Sequence, residues 1–171
     1  MNRDQLKTRQ APLKDHYRES PEAALVTLSA EGSLTEGISC SVQTGKALAV
    51  AGLHSATGGD GTMICSGDML LQALVACAGV TLNAVATSMG LVLRGGSIRA
   101  DGDLDFRGTL GVDKQVPVGF QTIRLTFELD TDESEENLNT LMRLTERYCV
   151  VYQTLASSPS LDASWILADS A

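Results

Sequence analysis

Ser66-Gly67-Asp68-Met69-Leu70-Leu71-Gln72-Ala73-Leu74-Val75-Ala76-Cys77-Ala78-Gly79-Val80-Thr81-Leu82-Asn83-Ala84-Val85-Ala86-Thr87-Ser88-Met89-Gly90 is the stretch on which the fold turns. From Met69 to Leu93 it carries no charged residue. A run of that length could cross a bilayer. It is rich in Ala, however, and is broken by Gln72, Gly79, Thr81, Asn83, Thr87, Ser88 and Gly90. No basic cluster adjoins Asp68. Its hydrophobicity therefore falls short of a Leu-rich span, and it reads as a buried central helix with no membrane partner. Ser66 or Asp68 is placed to cap its start, and Gly90 to end it.

Upstream of this helix, His54 to Thr62 contains Gly58, Gly59 and Gly61, a flexible loop suited to lining a site. Before it, Ala24 to Ala30, Gly37 to Gln43 and Lys46 to Ala51 are short runs punctuated by Glu31-Gly32 and Thr44-Gly45, as in an antiparallel meander. Alternation places Ile38, Cys40 and Val42 on one face. Residues 1–20 form an N-terminal arm, a weakly packed helix interrupted by Pro12, and residues 21–171 the domain proper.

Downstream, Ser97 to Phe106 and Gln121 to Asp130 read as strands. The second alternates Ile123, Leu125, Phe127 and Leu129 with Thr122, Arg124, Thr126 and Glu128. Asp132 to Glu136 open an amphipathic helix whose stripe, Leu138, Leu141, Met142, Leu144, Tyr148 and Tyr152, runs past Cys149. Leu161 to Leu167, with Trp165, reads as a short final strand. Strands, a buried helix, strands and an amphipathic helix in that order predict an α+β fold.

The 171 residues suit one domain, and 43% apolar with 20% charged residues is a globular composition. A net charge of −8 argues against a nucleic-acid partner. Met1 to Pro21 has no apolar core of a secretory signal, so a cytoplasmic location is expected. In that compartment the four cysteines would be thiols unless chemistry oxidises them. Cys40, His54 and Cys65 lack the paired spacing of a zinc site, and neither a phosphate-binding loop nor a nucleophile elbow is present. No metal or cofactor is therefore expected. Cys77 and Cys149 each sit on an apolar helix, where a cysteine commonly acts as a small core hydrophobe. Two helices on one sheet could also bring them together as a redox pair.

Residues 66–77 resemble the cysteine-bearing helix of the OsmC/Ohr family, in which a Pro-Glu pair and a Leu-Leu step precede a cysteine at this spacing. Gly119-Phe120, the alternating strand, the acidic helix start and Glu146-Arg147-Tyr148-Cys149-Val150-Val151 resemble that family's second motif, where Cys-Pro-Val is usual. The resemblance covers roughly residues 24–167. It implies an intertwined homodimer that reduces organic hydroperoxides, with Cys77 as the attacking thiol, Cys149 as the resolving one and an external dithiol as reductant. The same fold could alternatively serve as a noncatalytic dimer binding a small apolar ligand, or as a thiol redox sensor.

The chain departs from the family where the first thiol is activated. Ser66 and Gly67 replace the Pro-Glu pair, leaving Asp68 as the adjacent carboxylate, and Lys46 is the only base between Ala23 and Leu53, where the family has an arginine. Only the thiolate is reactive, and apolar surroundings disfavour it. Cys77 also lies beyond the first turn of its own helix, where the dipole acts. A nearby cation is therefore expected, with His54, Arg18, Arg143 and Arg147 as the candidates.

Overall fold

The computed structural model describes residues 2–20, 32–35, 39–44 and 47–167, and the expected strand at Ala24 to Ala30 lies outside them. The chain is α+β. Helix α1 spans Arg3–Glu19, opened by a capping box in which Asn2 and Gln5 exchange hydrogen bonds of 2.9 and 3.0 Å. It runs through Pro12 rather than stopping there. Proline costs one backbone hydrogen bond and a local clash, and here the surrounding turns hold the helix together despite both. α1 packs on α2.

Strands β1 (Gly32–Thr35), β2 (Ser39–Thr44) and β3 (Ala47–Gly52) form an antiparallel meander. Gly32, expected as turn punctuation, instead opens β1 opposite Val42. Ile38 is not among the described residues, and Cys40 pairs with Leu34 on one side and Ala51 on the other. After a 3-10 turn at Ser55–Thr57, the two-residue β4 (Ile64–Cys65) joins β3 in parallel. So short a strand leaves no alternation for a sequence reading to detect.

Helix α2 follows as Ser66–Met89, ending at Gly90 in the left-handed conformation (φ 77°), which glycine adopts without a Cβ clash. Neither Ser66 nor Asp68 caps its start; Cys65 is the N-cap residue, with no side-chain hydrogen bond, and Asp68 lies in the first turn. Strands β5 (Gly95–Asp103) and β6 (Thr122–Asp130) pair antiparallel, with Ile98 opposite Phe127 and Ala100 opposite Leu125. Between them lies the four-residue helix α3 (Phe106–Thr109). Helices α4 (Glu135–Tyr148) and α5 (Val150–Ala156) complete the described elements. Ser134 caps α4 through the Asn137 N–H.

β6 turns Ile123, Leu125, Phe127 and Leu129 inward and its polar residues outward, as its alternation requires. Against this face α2 lays Leu74, Ala78, Leu82 and Ala86, a single stripe at steps of four. Gly79 permits the approach, since a Cβ there would sit 3.1 Å from Ile98 Cδ1. Two clusters result: Leu82, Ala86 and Leu141 with Ile98 and Leu129 at one end, and Leu74, Ala78 and Cys149 with Leu125 and Val151 at the other.

α2 is long and apolar enough to cross a membrane by length and composition, yet only these four of its 24 residues are buried. Among the described residues its contacts with α1, β4, β5, α4 and α5 cover it less than a central helix was expected to be covered. Residues 161–167 likewise form no strand: no described sheet edge pairs with them, and Trp165 and Ile166 are 81% and 91% exposed.

Candidate thiol site

Cys149 is not inside a helix, as its apolar stripe suggested, but at a break between two. Its backbone is extended (φ −75°, ψ 108°), closing α4 through its N–H to Thr145 O (2.9 Å) and opening α5 by accepting from the Gln153 N–H (2.9 Å). In an unbroken helix the N–H groups of Val150 and Val151 would bond the carbonyls of Glu146 and Arg147. The break releases them. The Glu146 carbonyl is satisfied instead by the Gln153 side-chain amide at 2.8 Å. The first N–H groups of a helix have no partner within it, so those of α5 are available to another group.

That group is Cys77. Its helix places it in the cluster of Leu74, Ala78 and Cys149, facing α5. Burial pushes its thiol pKa up. The Val151 N–H, the Cys149 thiol, the Val150 N–H and the Thr81 hydroxyl all act on its sulfur in the opposite direction, and together they prevail, so Cys77 is held below the ordinary thiol value. Each favours the charged form by donating a hydrogen bond to it.

Cys149 is shifted the other way. It is 1% exposed, and burial raises its pKa; the neighbouring Cys77 raises it further, against opposing hydrogen bonds from the Tyr152 and Val151 N–H groups. Both are free thiols, Cys77 packs against the cluster that contains Cys149, and the pair is driven in opposite directions, Cys77 toward the more acidic side and Cys149 toward the less acidic.

The expected cation is not seen beside Cys77 among the described residues. Among the described residues, none of the groups lowering its pKa is basic. His54 caps the 3-10 turn by accepting the Ala56 N–H at 3.0 Å and stacks on Phe106 with ring centroids 4.9 Å apart, a structural use of the ring. Arg147 is exposed and lies over Tyr148, 5.7 Å from the ring centroid. Arg143 is exposed. The Arg18 side chain and Lys46 fall outside the described atoms. Asp68 is exposed beside Leu71, Gln72 and Val75 and does not act on Cys77. Backbone N–H groups carry no residue-type signature, which is why Val150 and Val151 escaped the sequence reading. The only available hint was a Val where the related motif has Pro.

A cavity of about 400 Å³ borders the hydrophobic cluster that holds the thiols, neither of which lines it. It shares Leu74, Ile123, Leu125, Phe127 and Tyr152 with the cluster that contains them, and Phe120, Met142, Glu146 and Leu155 extend it. With Gln121 and Thr122 also in its wall, it combines apolar and polar surface, and its size suits a small organic molecule. Among the described residues no three His, Cys, Asp or Glu side chains gather as a metal site would require.

A family model described as OsmC-like protein matches residues 59–164. The chain belongs to the OsmC-like family. Solved structures agree on the fold of this OsmC-like protein. One is an OsmC-like protein from Mycoplasma pneumoniae (TM-score 0.64, 18% identity, covering 78% of this chain and 89% of that one). Another is an organic hydroperoxide resistance protein from Elizabethkingia anophelis (TM-score 0.63, 14% identity, 79% and 91% covered). A third is the organic hydroperoxide resistance protein OhrB of Bacillus subtilis (TM-score 0.54, 18% identity, 79% and 94% covered). No curated protein matches the chain.

Proposed function

We propose that this OsmC-like protein is a thiol-dependent peroxidase acting on organic hydroperoxides in the oxidative stress response. The observation that carries the reading is the contact between two free thiols of opposite pKa shift, Cys77 lowered and Cys149 raised. The Cys77 thiolate attacks the peroxide O–O bond. Its sulfur takes one oxygen and becomes a sulfenic acid, while the other oxygen leaves with a proton as the alcohol. The Cys149 thiol then condenses with the sulfenic acid, forming the disulfide and releasing water. An external dithiol donates two electrons and two protons to restore both thiols, becoming a disulfide itself. No cofactor enters this cycle, and the proposed compartment is the cytoplasm, whose thiol pools supply the reductant.

The proposed assembly is a homodimer. Its support is the wide apolar face that α2 leaves uncovered, including Val80 at 73% exposure, together with the exposed Trp165 and Ile166. Single exposed hydrophobes are ordinary, whereas a whole helix face and an apolar tail point to an interaction surface.

The test treats the reduced protein with one equivalent of cumene hydroperoxide and maps its disulfides by nonreducing mass spectrometry, with Cys77→Ser in parallel. A rapid Cys77 to Cys149 disulfide that is lost in the variant supports the peroxidase. A Cys77 that stays reduced while peroxide persists replaces it with a noncatalytic binder of small apolar ligands. Disulfide formation without repeated turnover in the presence of dithiothreitol indicates a redox sensor.

A further inference from the structure

The chain between α4 and α5 contains no residue that breaks helices by itself. Sharp breaks occur at proline, at glycine and serine pairs, at bulges, or where a side chain enters the ladder of backbone hydrogen bonds. From Glu146 to Gln153 the sequence is Glu-Arg-Tyr-Cys-Val-Val-Tyr-Gln, without Pro, Gly or Ser, and Tyr148 and Tyr152 keep the spacing of one continuous helix. What enters the ladder is the Gln153 side chain, whose amide donates to the Glu146 carbonyl at 2.8 Å. In a continuous helix that carbonyl would accept the Val150 N–H. Residues this far apart would then stand about 10.5 Å from each other along the axis, too far for a glutamine to reach past the intervening turns. The bond therefore exists only in the broken form and favours it over the continuous one.

The consequence falls on the thiols. With Cys149 extended, the Val150 and Val151 N–H groups take no partner in the backbone ladder. α5 lies against α2, and Val151 and Cys77 both pack on the cluster of Leu74, Ala78 and Cys149. Besides Cys77, the titratable groups of that cluster are Cys149 and Tyr152, and among the described residues no Asp, Glu, Lys, Arg or His acts on Cys77. We infer that Gln153 is a positioning residue for the thiol pair: by holding the Glu146 carbonyl it keeps α4 and α5 from fusing into one helix, and so leaves the Val150 and Val151 N–H groups free to donate to Cys77. Gln153 acts through the main chain and has no part in the chemical step. This deepens the peroxidase reading and rests on it for the use to which the thiolate is put.

The test follows alkylation of Cys77 by iodoacetamide from pH 5 to 10, resolved by peptide-mapped mass spectrometry of the reduced protein. Gln153→Met keeps the side chain's length, removes its donor and alters an exposed position, so the fold is expected to survive, with thermal melts as the check. The Cys77 titration should move up by about 0.5–1 pH unit, as for part or all of one net hydrogen bond. Val150→Pro leaves no hydrogen to return to the Glu146 carbonyl, and its ring fixes the break. Gln153→Met should therefore add nothing in that background, the non-additivity of two changes to one exchange of hydrogen bonds. An unmoved titration in Gln153→Met alone overturns the inference, whatever the melting temperature does. So does an equal rise in both backgrounds, since Gln153 would then act by another route. Iodoacetamide replaces peroxide throughout, so a Cys77 that titrates as expected but resists hydroperoxide removes the proposed function and leaves the positioning role standing. If Val150→Pro fails to fold, the Val150 amide resonance decides in its place. It should follow the Cys77 titration in the wild type and cease to do so in Gln153→Met; a dependence kept in both overturns the inference.

Discussion

Val150→Pro removes one hydrogen from the thiol site and little else. The Val150 side chain is 70% exposed, and Val150 is the first residue of α5, the helical position proline tolerates best. The preceding Cys149 already has the extended backbone that a following proline demands (φ −75°, ψ 108°). What disappears is an N–H that lowers the pKa of Cys77. A hydrogen bond to a charged group is worth about 1.5–3 kcal/mol. Val150 ranks behind Val151 and Cys149 in its effect on Cys77, so the lower end applies. A loss of about 1.5 kcal/mol cuts the thiolate-to-thiol ratio by roughly 12-fold. The surviving thiolate is more nucleophilic by about threefold, given a Brønsted coefficient near 0.45. The net result, at a pH below the titration of both proteins, is a rate about fourfold lower.

The sign reverses in alkali. Above the titration of both proteins each thiol is fully ionised, and the variant, with the more basic sulfur, should react about threefold faster. The assay is stopped-flow oxidation of Cys77 by tert-butyl hydroperoxide between pH 5 and 10, with thermal melts to confirm that α5 is intact. Two profiles that cross are expected. Profiles that superimpose, with unchanged melting, would refute the claim that the backbone of α5 activates Cys77.

Cys149→Ser should leave the first oxidation of Cys77 in place but prevent its resolution, so mass spectrometry after excess peroxide should show Cys77 advancing to sulfinic and sulfonic acid; a protein arrested at the sulfenic acid would count against Cys149 as the partner. Leu141→Ala, at a side chain with no solvent exposure, should cost about 2–5 kcal/mol and lower the Tm by roughly 5–20 °C, read by calorimetry. Asp130→Asn breaks an exposed 2.7 Å ion pair with Arg94 and should cost less than about 1 kcal/mol in the same measurement. Light scattering in dilute buffer should give twice the 18.1 kDa of the chain, with Trp165 emission shifted to the blue of free indole; a monomer mass would remove the proposed dimer.

The elements with strong periodicity were legible from the sequence alone. The alternation in Gln121 to Asp130 gave β6 to within a residue, and Gly90 ended α2 where expected. β1, β4 and α3 were not foreseen, because two to four residues leave no period to read. At the site, sequence supplied the two sulfurs but looked for a cation to activate one of them. The break at Cys149 could not be inferred from Tyr148 and Tyr152, which keep helical spacing across it and so conceal it. A hydrogen bond donated by the main chain is a property of conformation, and no side chain announces it.

The free face of α2 ties this protein's stability to its abundance. With that face covered by a second copy, as proposed, folding and pairing become one equilibrium, and every tenfold dilution removes about 1.4 kcal/mol from the assembled form. Melting temperature would then track protein concentration, and a subunit made without a mate would display an uncharged helix to the cell's proteases. The protein's lifetime would thus depend on the rate of its own synthesis.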